Sequence, residues 1–340
     1  MLILLRSDAS AADRARLTSL LESLGLPFQV IESASRTAIA LLGGDGRVDP
    51  ARFAALSGVD EIIPLTRPYR MVAREWRPEP TVVPLPGGVS VGGKEIVVFA
   101  GPCAVESEEQ IRATARAVKA AGAVALRAGA FKPRTSPYAF QGLGPAGLEL
   151  LREVREETGL LLVTEALDEA GLEQVEQVAD IIQIGARNMQ NYALLKRAGR
   201  AGKPVLLKRG MTATLTDFLL SAEYVLSEGN ASVILCERGI RGLDGSSRTF
   251  FDVNAIATVK SLSHLPILAD PSHGTGKRAL VPAAARAGIA AGADGLLIEV
   301  HVSPEEALSD GAQSLYPEQF GLLMEEVRGI AAAIGRKVAR

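Results

Sequence analysis

The chain has 340 residues, 47% of them apolar and 22% charged, with a net charge of −2. That length can bury one large domain, or one large and one small, and the charge is too near neutral to advertise nucleic acid or an anionic membrane as a partner. Two cysteines, Cys103 and Cys236, exclude a disulfide-framed scaffold. The opening stretch, MLILLRSD, meets Arg6 too early for a signal-peptide core or a bilayer span, so the expected location is the cytoplasm.

Residues 1–66 form one small predicted unit. Leu2–Leu5 is a short apolar strand, and residues 10–24 carry helical spacing, with Leu17, Leu20, Leu21 and Leu24 on one stripe and Ser10 as cap. Strands are expected over 28–31, 37–42 and 59–65, with a short helix over 51–56. The order β-α-β-β-α-β is that of a ferredoxin-like α+β domain. No His, Cys or dense polar loop lies in it. Residues 67–94 hold Pro68, Pro78, Pro80, Pro84 and Pro86 and two Gly-Gly pairs, and are expected to be a linker ending in a hairpin.

From residue 95 to 340, short apolar runs alternate with helical segments. The runs fall at 96–100, 124–126, 160–164, 181–184, 205–207, 233–235, 267–269 and 295–298. Several are continuously apolar, as strands buried on both faces are. Eight βα units in about 245 residues predict an α/β fold, a closed (β/α)8 TIM barrel. No Gly-x-Gly-x-x-Gly turn follows the first run, which argues against an open dinucleotide-binding sheet.

In such a barrel the chemistry belongs to the loops at the strands' C-terminal ends. Two residue sets stand out there. Cys103, His273, Glu299 and Asp310 follow strands 1, 7 and 8, which are neighbours once the barrel closes. A sulfur, an imidazole and two carboxylates suit one borderline divalent ion, Mn, Fe, Co or Zn, better than Ca or Mg. Two of the three histidines, His273 and His301, lie at adjacent strand ends. The second set is Arg127, Lys132, Arg134, Arg187, Lys208 and Arg238, six cations around one mouth. They would repel one another without bound anions, and two phosphorylated substrates would use them well. Arg209 and Arg241 are set apart as surface or ion-pair residues.

The motifs GPCAVES at 101–107, LRAGAFKPRTSPYAFQGLG at 126–144, DIIQIGARNMQN at 180–191, PVLLKRGM at 204–211, PILADPSHGTGKR at 266–278 and ALSDGAQSL at 307–315 resemble the 3-deoxy-D-arabino-heptulosonate 7-phosphate (DAHP) synthases, in their type I-beta branch. The resemblance covers the whole barrel, and residues 1–66 resemble the ferredoxin-like regulatory domain fused to some of these enzymes. It implies metal-dependent condensation of phosphoenolpyruvate with erythrose 4-phosphate, the first step of the shikimate pathway. The family's metal ligands fall on Cys103, His273, Glu299 and Asp310. Its phosphoenolpyruvate contacts fall on Arg127, Lys132, Arg187, Lys208 and Arg238, and its erythrose 4-phosphate contacts on Arg134, Thr135 and Ser136.

The resemblance also implies a homotetramer, and tyrosine or phenylalanine is the expected effector at the first unit. Lys132, crowded by cations, is expected to have a lowered pKa and to act as proton donor, with Glu165 or Glu237 orienting the attacking water. The alternatives are a synthase of the eight-carbon 3-deoxy-D-manno-octulosonate 8-phosphate, or a barrel that only senses small molecules. The intact Lys132-Pro133-Arg134-Thr135 favours the seven-carbon reaction.

Overall fold

The computed structural model describes residues 1–32, 36–42, 49–63, 67–242 and 248–339. The chain divides into two compact units, Met1–Trp76 and Arg77–Arg340.

The first unit runs β1 (Leu2–Leu5), α1 (Ala11–Ser23), β2 (Phe28–Glu32), β3 (Thr37–Leu41), α2 (Ala51–Ala54) and β4 (Val59–Ile63). The expected continuation of β4 to residue 65 lies outside the described residues. The sheet order is β2-β3-β1-β4, all antiparallel, the arrangement of a split βαβ fold. Ser10 and Asp13 close a capping box at the start of α1, each side chain serving the other's backbone N–H. Leu17 and Leu21 then point at Ile3, Leu5, Ile39 and Phe53, which form the core of this unit.

The second unit opens with a hairpin, β5 (Val83–Pro84) and β6 (Ser90–Val91). The barrel strands are β7 (Glu95–Gly101), β8 (Ala125–Arg127), β9 (Leu161–Ala166), β10 (Ile181–Ile184), β11 (Val205–Lys208), β12 (Val233–Glu237), β13 (Ile267–Ala269) and β14 (Gly295–Glu299). Each pairs in parallel with the next, and β14 pairs with β7, so eight strands close a barrel. The helices between them are α3 (Glu108–Ala121), α4 (Pro145–Thr158), α5 (Glu169–Val178), α6 (Tyr192–Gly199), α7 (Leu215–Ser227), α8 (Val253–Leu262), α9 (Pro271–Thr275) and α10 (Val281–Ala290). α11 (Pro317–Ala333) and β15 (Lys337–Val338) follow, and β15 adds to the start of β7.

The barrel interior is filled rather than hollow. Val97, Phe99, Val163, Leu206, Ile234, Leu268 and Leu297 meet at its centre, and Val83, Leu85 and Val91 of the hairpin join the same cluster. Each such side chain contributes about 1.5–3 kcal/mol by leaving water. The hairpin half of the proline-rich stretch is therefore packed on the barrel, and within the first unit Tyr69, Val72, Ala73 and Trp76 are buried. With the core and hairpin occupying the barrel at and below its middle, the polar side chains collect at the C-terminal ends of the strands.

Candidate active site

A cavity of about 350 Å³ opens at that C-terminal mouth. Its wall carries seven cations, Arg127, Lys132, Arg134, Arg187, Lys208, Arg238 and Arg248, against two carboxylates, Glu165 and Asp310. Thr135, Ser136 and His273 also line it. All six cations singled out in the sequence reach this one cavity, and so do the two hydroxyl residues beside Arg134.

The loop after β8 places several of them. Lys132 N donates to Gln141 O at 2.8 Å and Gly144 N to Ala130 O at 2.9 Å, so residues 130–144 double back on themselves. Gly142 adopts φ 95°, a left-handed value, and a Cβ there would collide with Ala130 O. Arg187 reaches this loop from the turn after β10, two strands away, where its Nη1 donates to Pro133 O at 3.3 Å.

Beside the cavity, ligand atoms of Cys103, Glu299 and Asp310 lie within 4.8 Å of one another. His273 Nε2 is 3.4 Å from Glu299 Oε1 and 3.9 Å from Asp310 Oδ2. The fourth expected donor thus faces the two carboxylates of that group. Strand adjacency explains the gathering: β13, β14 and β7 are consecutive around the barrel. Asp310 comes from the loop after β14, with φ 50°. Among the described residues it alone, glycine apart, has a left-handed backbone, a strained conformation that recurs where function fixes a side chain.

Each donor is held from behind. Asp270 caps α9, accepting from His273 N at 3.0 Å, and its Oδ2 lies 2.8 Å from His273 Nδ1. That contact points Nε2 at the cluster, the usual way a carboxylate orients a liganding imidazole. Burial pushes the His273 pKa down, so the ring is neutral and Nδ1–H donates to Asp270. Burial works against a charge on Asp270, but His273 and Lys208 hold its carboxyl well below the usual range. Lys208 Nζ is 2.6 Å from Asp270 Oδ2. Glu299 Oε1 accepts from Arg127 Nη1 at 2.9 Å and Oε2 from Gln313 Nε2 at 2.6 Å. Burial pushes the Cys103 thiol up to about 12, and the protonated sulfur donates to Asp310 Oδ2 at 3.2 Å.

Arg127, Lys208 and Arg248 spend charge on Glu299, Asp270 and Asp310. Lys132, Arg134, Arg187 and Arg238 form no ion pair among the described residues, which leaves the mouth electropositive. Arg127 also keeps a buried Nε with no hydrogen-bond partner. A buried donor left unsatisfied costs about 1–3 kcal/mol, and an anion in the cavity would remove that cost.

Some expectations need correction. Lys132 is raised, not lowered: burial pulls its pKa down, but Cys103, Glu165 and Glu299 outweigh burial and the neighbouring Arg127. It is an ammonium group, able to donate. Glu237 does not face the cavity. It is fully buried, paired with Arg209 at 2.8 Å and accepting from Gly239 N at 2.7 Å. Arg209 is thus the ion-pair residue that the sequence allowed, and it is buried. His301 stays out of the donor cluster, its Nε2 lying 3.3 Å from Glu106 Oε2. Glu165 does line the cavity, beside Gln183 at 3.2 Å.

Asp270, Arg248 and Gln313 went unassigned in the sequence. For Asp270 a signal existed: Asp at a strand end, Pro next, His three residues on, the pattern of a capping carboxylate that also reaches the imidazole.

Similarity to known proteins gives the family. The DAHP synthetase I family profile matches residues 79–333, and the DAHP synthase ferredoxin-like domain matches residues 1–67. The chain belongs to the DAHP synthetase I family. It is 47% identical over 338 residues to the phospho-2-dehydro-3-deoxyheptonate aldolase of Thermotoga maritima, covering 99% of this chain and 100% of that protein. The crystal structure of the Thermotoga maritima DAHP synthase superposes with a TM-score of 0.80 at 46% identity, over 99% of both chains. A truncated form of the Thermotoga maritima enzyme matches 79% of this chain with a TM-score of 0.74 at 48% identity. The 2-dehydro-3-deoxyphosphooctonate aldolase of Syntrophotalea carbinolica is more distant, 35% identical over 72% of this chain and 95% of its own. No helix among the described residues is long and apolar enough to cross a membrane.

Proposed function

We propose that this DAHP synthase family member condenses phosphoenolpyruvate with D-erythrose 4-phosphate to give 3-deoxy-D-arabino-heptulosonate 7-phosphate and phosphate, with one divalent ion per subunit. The observation that carries the reading is the juxtaposition of an electropositive cavity and an S, N, O, O donor set at one barrel mouth. The donors fit a borderline ion by type, by spacing and by the outer partners that orient them. An ion held by Cys103, His273, Glu299 and Asp310 would supply Lewis acidity toward an aldehyde oxygen.

The chain's own residues do the rest. Arg127, Arg187, Lys208 and Arg238 bind the phosphate and carboxylate of phosphoenolpyruvate and fix which face of its enol is presented. Arg134, Thr135 and Ser136 take the phosphate of the aldehyde. The enol methylene carbon bonds to the aldehyde carbon, and the aldehyde oxygen takes a proton from the Lys132 ammonium. Water adds to the enol's substituted carbon, Glu165 accepting its proton, and phosphate leaves by carbon–oxygen cleavage. Buried Arg127 and Lys208 hold that phosphate out of bulk solvent.

Tyrosine or phenylalanine acts through residues 1–76 in this reading, and the enzyme works as a cytoplasmic homotetramer. The match of residues 1–67 to the ferredoxin-like domain of these synthases supports a separate unit before the barrel, and two free cysteines suit a reducing compartment. The test is phosphate release by metal-stripped protein, restoring Mn, Fe, Co or Zn singly, with erythrose 4-phosphate or arabinose 5-phosphate as acceptor. Turnover should need both an ion and the four-carbon aldehyde. Preference for the five-carbon aldehyde would assign the eight-carbon product, and turnover in chelator would end the metal role. Deleting residues 1–76 should abolish any response to tyrosine.

A further inference from the structure

Two side-chain contacts converge on Arg248, in the stretch between β12 and α8. Its Nη1 donates to Asp310 Oδ1 at 3.0 Å and to Gln313 Oε1 at 2.9 Å. Gln313 in turn donates through Nε2 to Glu299 Oε2 at 2.6 Å. One guanidinium nitrogen therefore reaches the outer oxygen of Asp310 directly and the outer oxygen of Glu299 through one amide. The inner oxygens, Asp310 Oδ2 and Glu299 Oε1, are the ones that face His273 Nε2.

The backbone of the same stretch is tied to the helix that carries His273. Arg248 N donates to Thr275 O at 3.2 Å, and Thr249 Oγ1 donates to His273 O at 3.2 Å and Gly274 O at 2.8 Å. A Cβ at Gly276 would collide with the Arg248 side chain, so the two segments are in close contact.

We propose that Arg248 is a positioning residue for the donor set, and that it couples that set to the anion held in the cavity. The inference rests on the metal reading of Cys103, His273, Glu299 and Asp310. A carboxylate free to rotate can present either oxygen or both. With its outer oxygen bonded, each of Asp310 and Glu299 turns its inner oxygen in a fixed direction, which is how outer partners raise metal affinity. That of Glu299 keeps one lone pair beyond the Arg127 bond, and that of Asp310 is turned toward the Cys103 sulfur. Asp310 has particular need of such a tether because its backbone is strained. Arg248 also lines the cavity, and its side chain is 38% exposed. An anion there would meet the same guanidinium that steadies Asp310. Gln313 is buried and outside the cavity, so it shares the first role only.

That division gives the test. Co²⁺ is titrated into the full-length metal-free protein while the cobalt–thiolate absorption is followed, and kcat and KM are measured on the loaded enzyme. Arg248→Met and Gln313→Met should each weaken Co²⁺ binding about 10- to 100-fold and alter the cobalt spectrum. Only Arg248→Met should also raise KM for a phosphorylated substrate. Arg248→Lys, which keeps one charged donor, should recover part of the Co²⁺ affinity. Matching thermal unfolding of the metal-free variants separates positioning from misfolding. If wild type binds Co²⁺ and both methionine variants bind it with the same affinity and spectrum, the proposal is overturned. If wild type itself binds no Co²⁺, it is the metal reading that fails.

Discussion

Behind His273, Glu299 and Asp310 stand Asp270, then Gln313, then Arg248, so each of these three has its second polar atom occupied. Across the mouth, Arg187, Thr135 and Ser136 are exposed, and neither Arg134 nor Arg187 has a carboxylate partner among the described residues. The first region is finished before anything binds. The second is charge waiting for a counter-charge. Preorganised donors lose little on accepting an ion, whereas a rim of unpaired cations gains most when anions arrive. The contrast teaches where each kind of substitution should register: as lost assembly on the donor side, as weaker substrate affinity on the rim.

The largest effect expected is that of Cys103→Ala. It removes a donor itself, so turnover should fall by more than the roughly 100-fold that loss of an outer partner costs. Circular dichroism should be unchanged, because the residue sits at a strand end and not in the packed centre. Near-normal turnover would mean the sulfur is no ligand and would erase the contrast. Asp270→Asn comes next. It loosens His273 and leaves the Lys208 ammonium buried without its carboxylate. Metal affinity should drop about 10- to 100-fold, and unfolding should become easier by about 3 kcal/mol, as when one partner of a buried pair is removed.

A smaller effect follows from pH. The metal-free thiol of Cys103 stands at about 12 against an ordinary 9.0. It is protonated at neutral pH, so ion binding as thiolate must expel one proton. His273, pushed down by burial, is already neutral, and Asp310, despite its burial, is held below the usual carboxylate range by Arg248 and by the hydrogen bond from Cys103. Affinity should therefore rise about tenfold per pH unit around neutrality, one proton's worth. A flat profile in Co²⁺ titrations would deny thiolate coordination. The same shift has a sign for stability. Above pH 9.0 the unfolded thiol ionises and the folded one does not, so the metal-free protein should lose stability as pH climbs toward about 12.

The two regions were unequally legible in the sequence. Strand ends supplied Cys103, His273 and Glu299, because runs such as 205–207 and Ile267–Ala269 are apolar throughout and their ends are easily found. Once eight strands are counted, closure makes β7, β13 and β14 neighbours, so a donor set scattered from 103 to 310 becomes local. The rim cations were legible for the same reason. What supports the donors was not. Arg248 lies 62 residues from Asp310 and follows no strand end directly, and Gln313 carries no charge to attract notice. The error over Lys132 has a physical origin too. Its cationic neighbours are close in sequence, while Cys103, Glu165 and Glu299, which reverse the shift, arrive only through folding.

The smallest effect separates two rim arginines by burial. Arg187 is exposed and makes one bond, to Pro133 O, whereas Arg238 is buried and lines the same cavity. Lysine keeps the charge in both places and loses the planar fork. At the exposed position water can replace what the fork gave, and KM for phosphoenolpyruvate should rise by less than about tenfold, under 1.4 kcal/mol. At the buried position no water stands in, and a shorter reach leaves the anion oxygen unmet. Arg238→Lys should therefore raise KM more than Arg187→Lys does, with metal affinity untouched in both. Equal effects would mean that burial does not grade the rim and that its cations act only through summed charge. A loss of metal affinity in either variant would mean the rim and the donor side are one assembly.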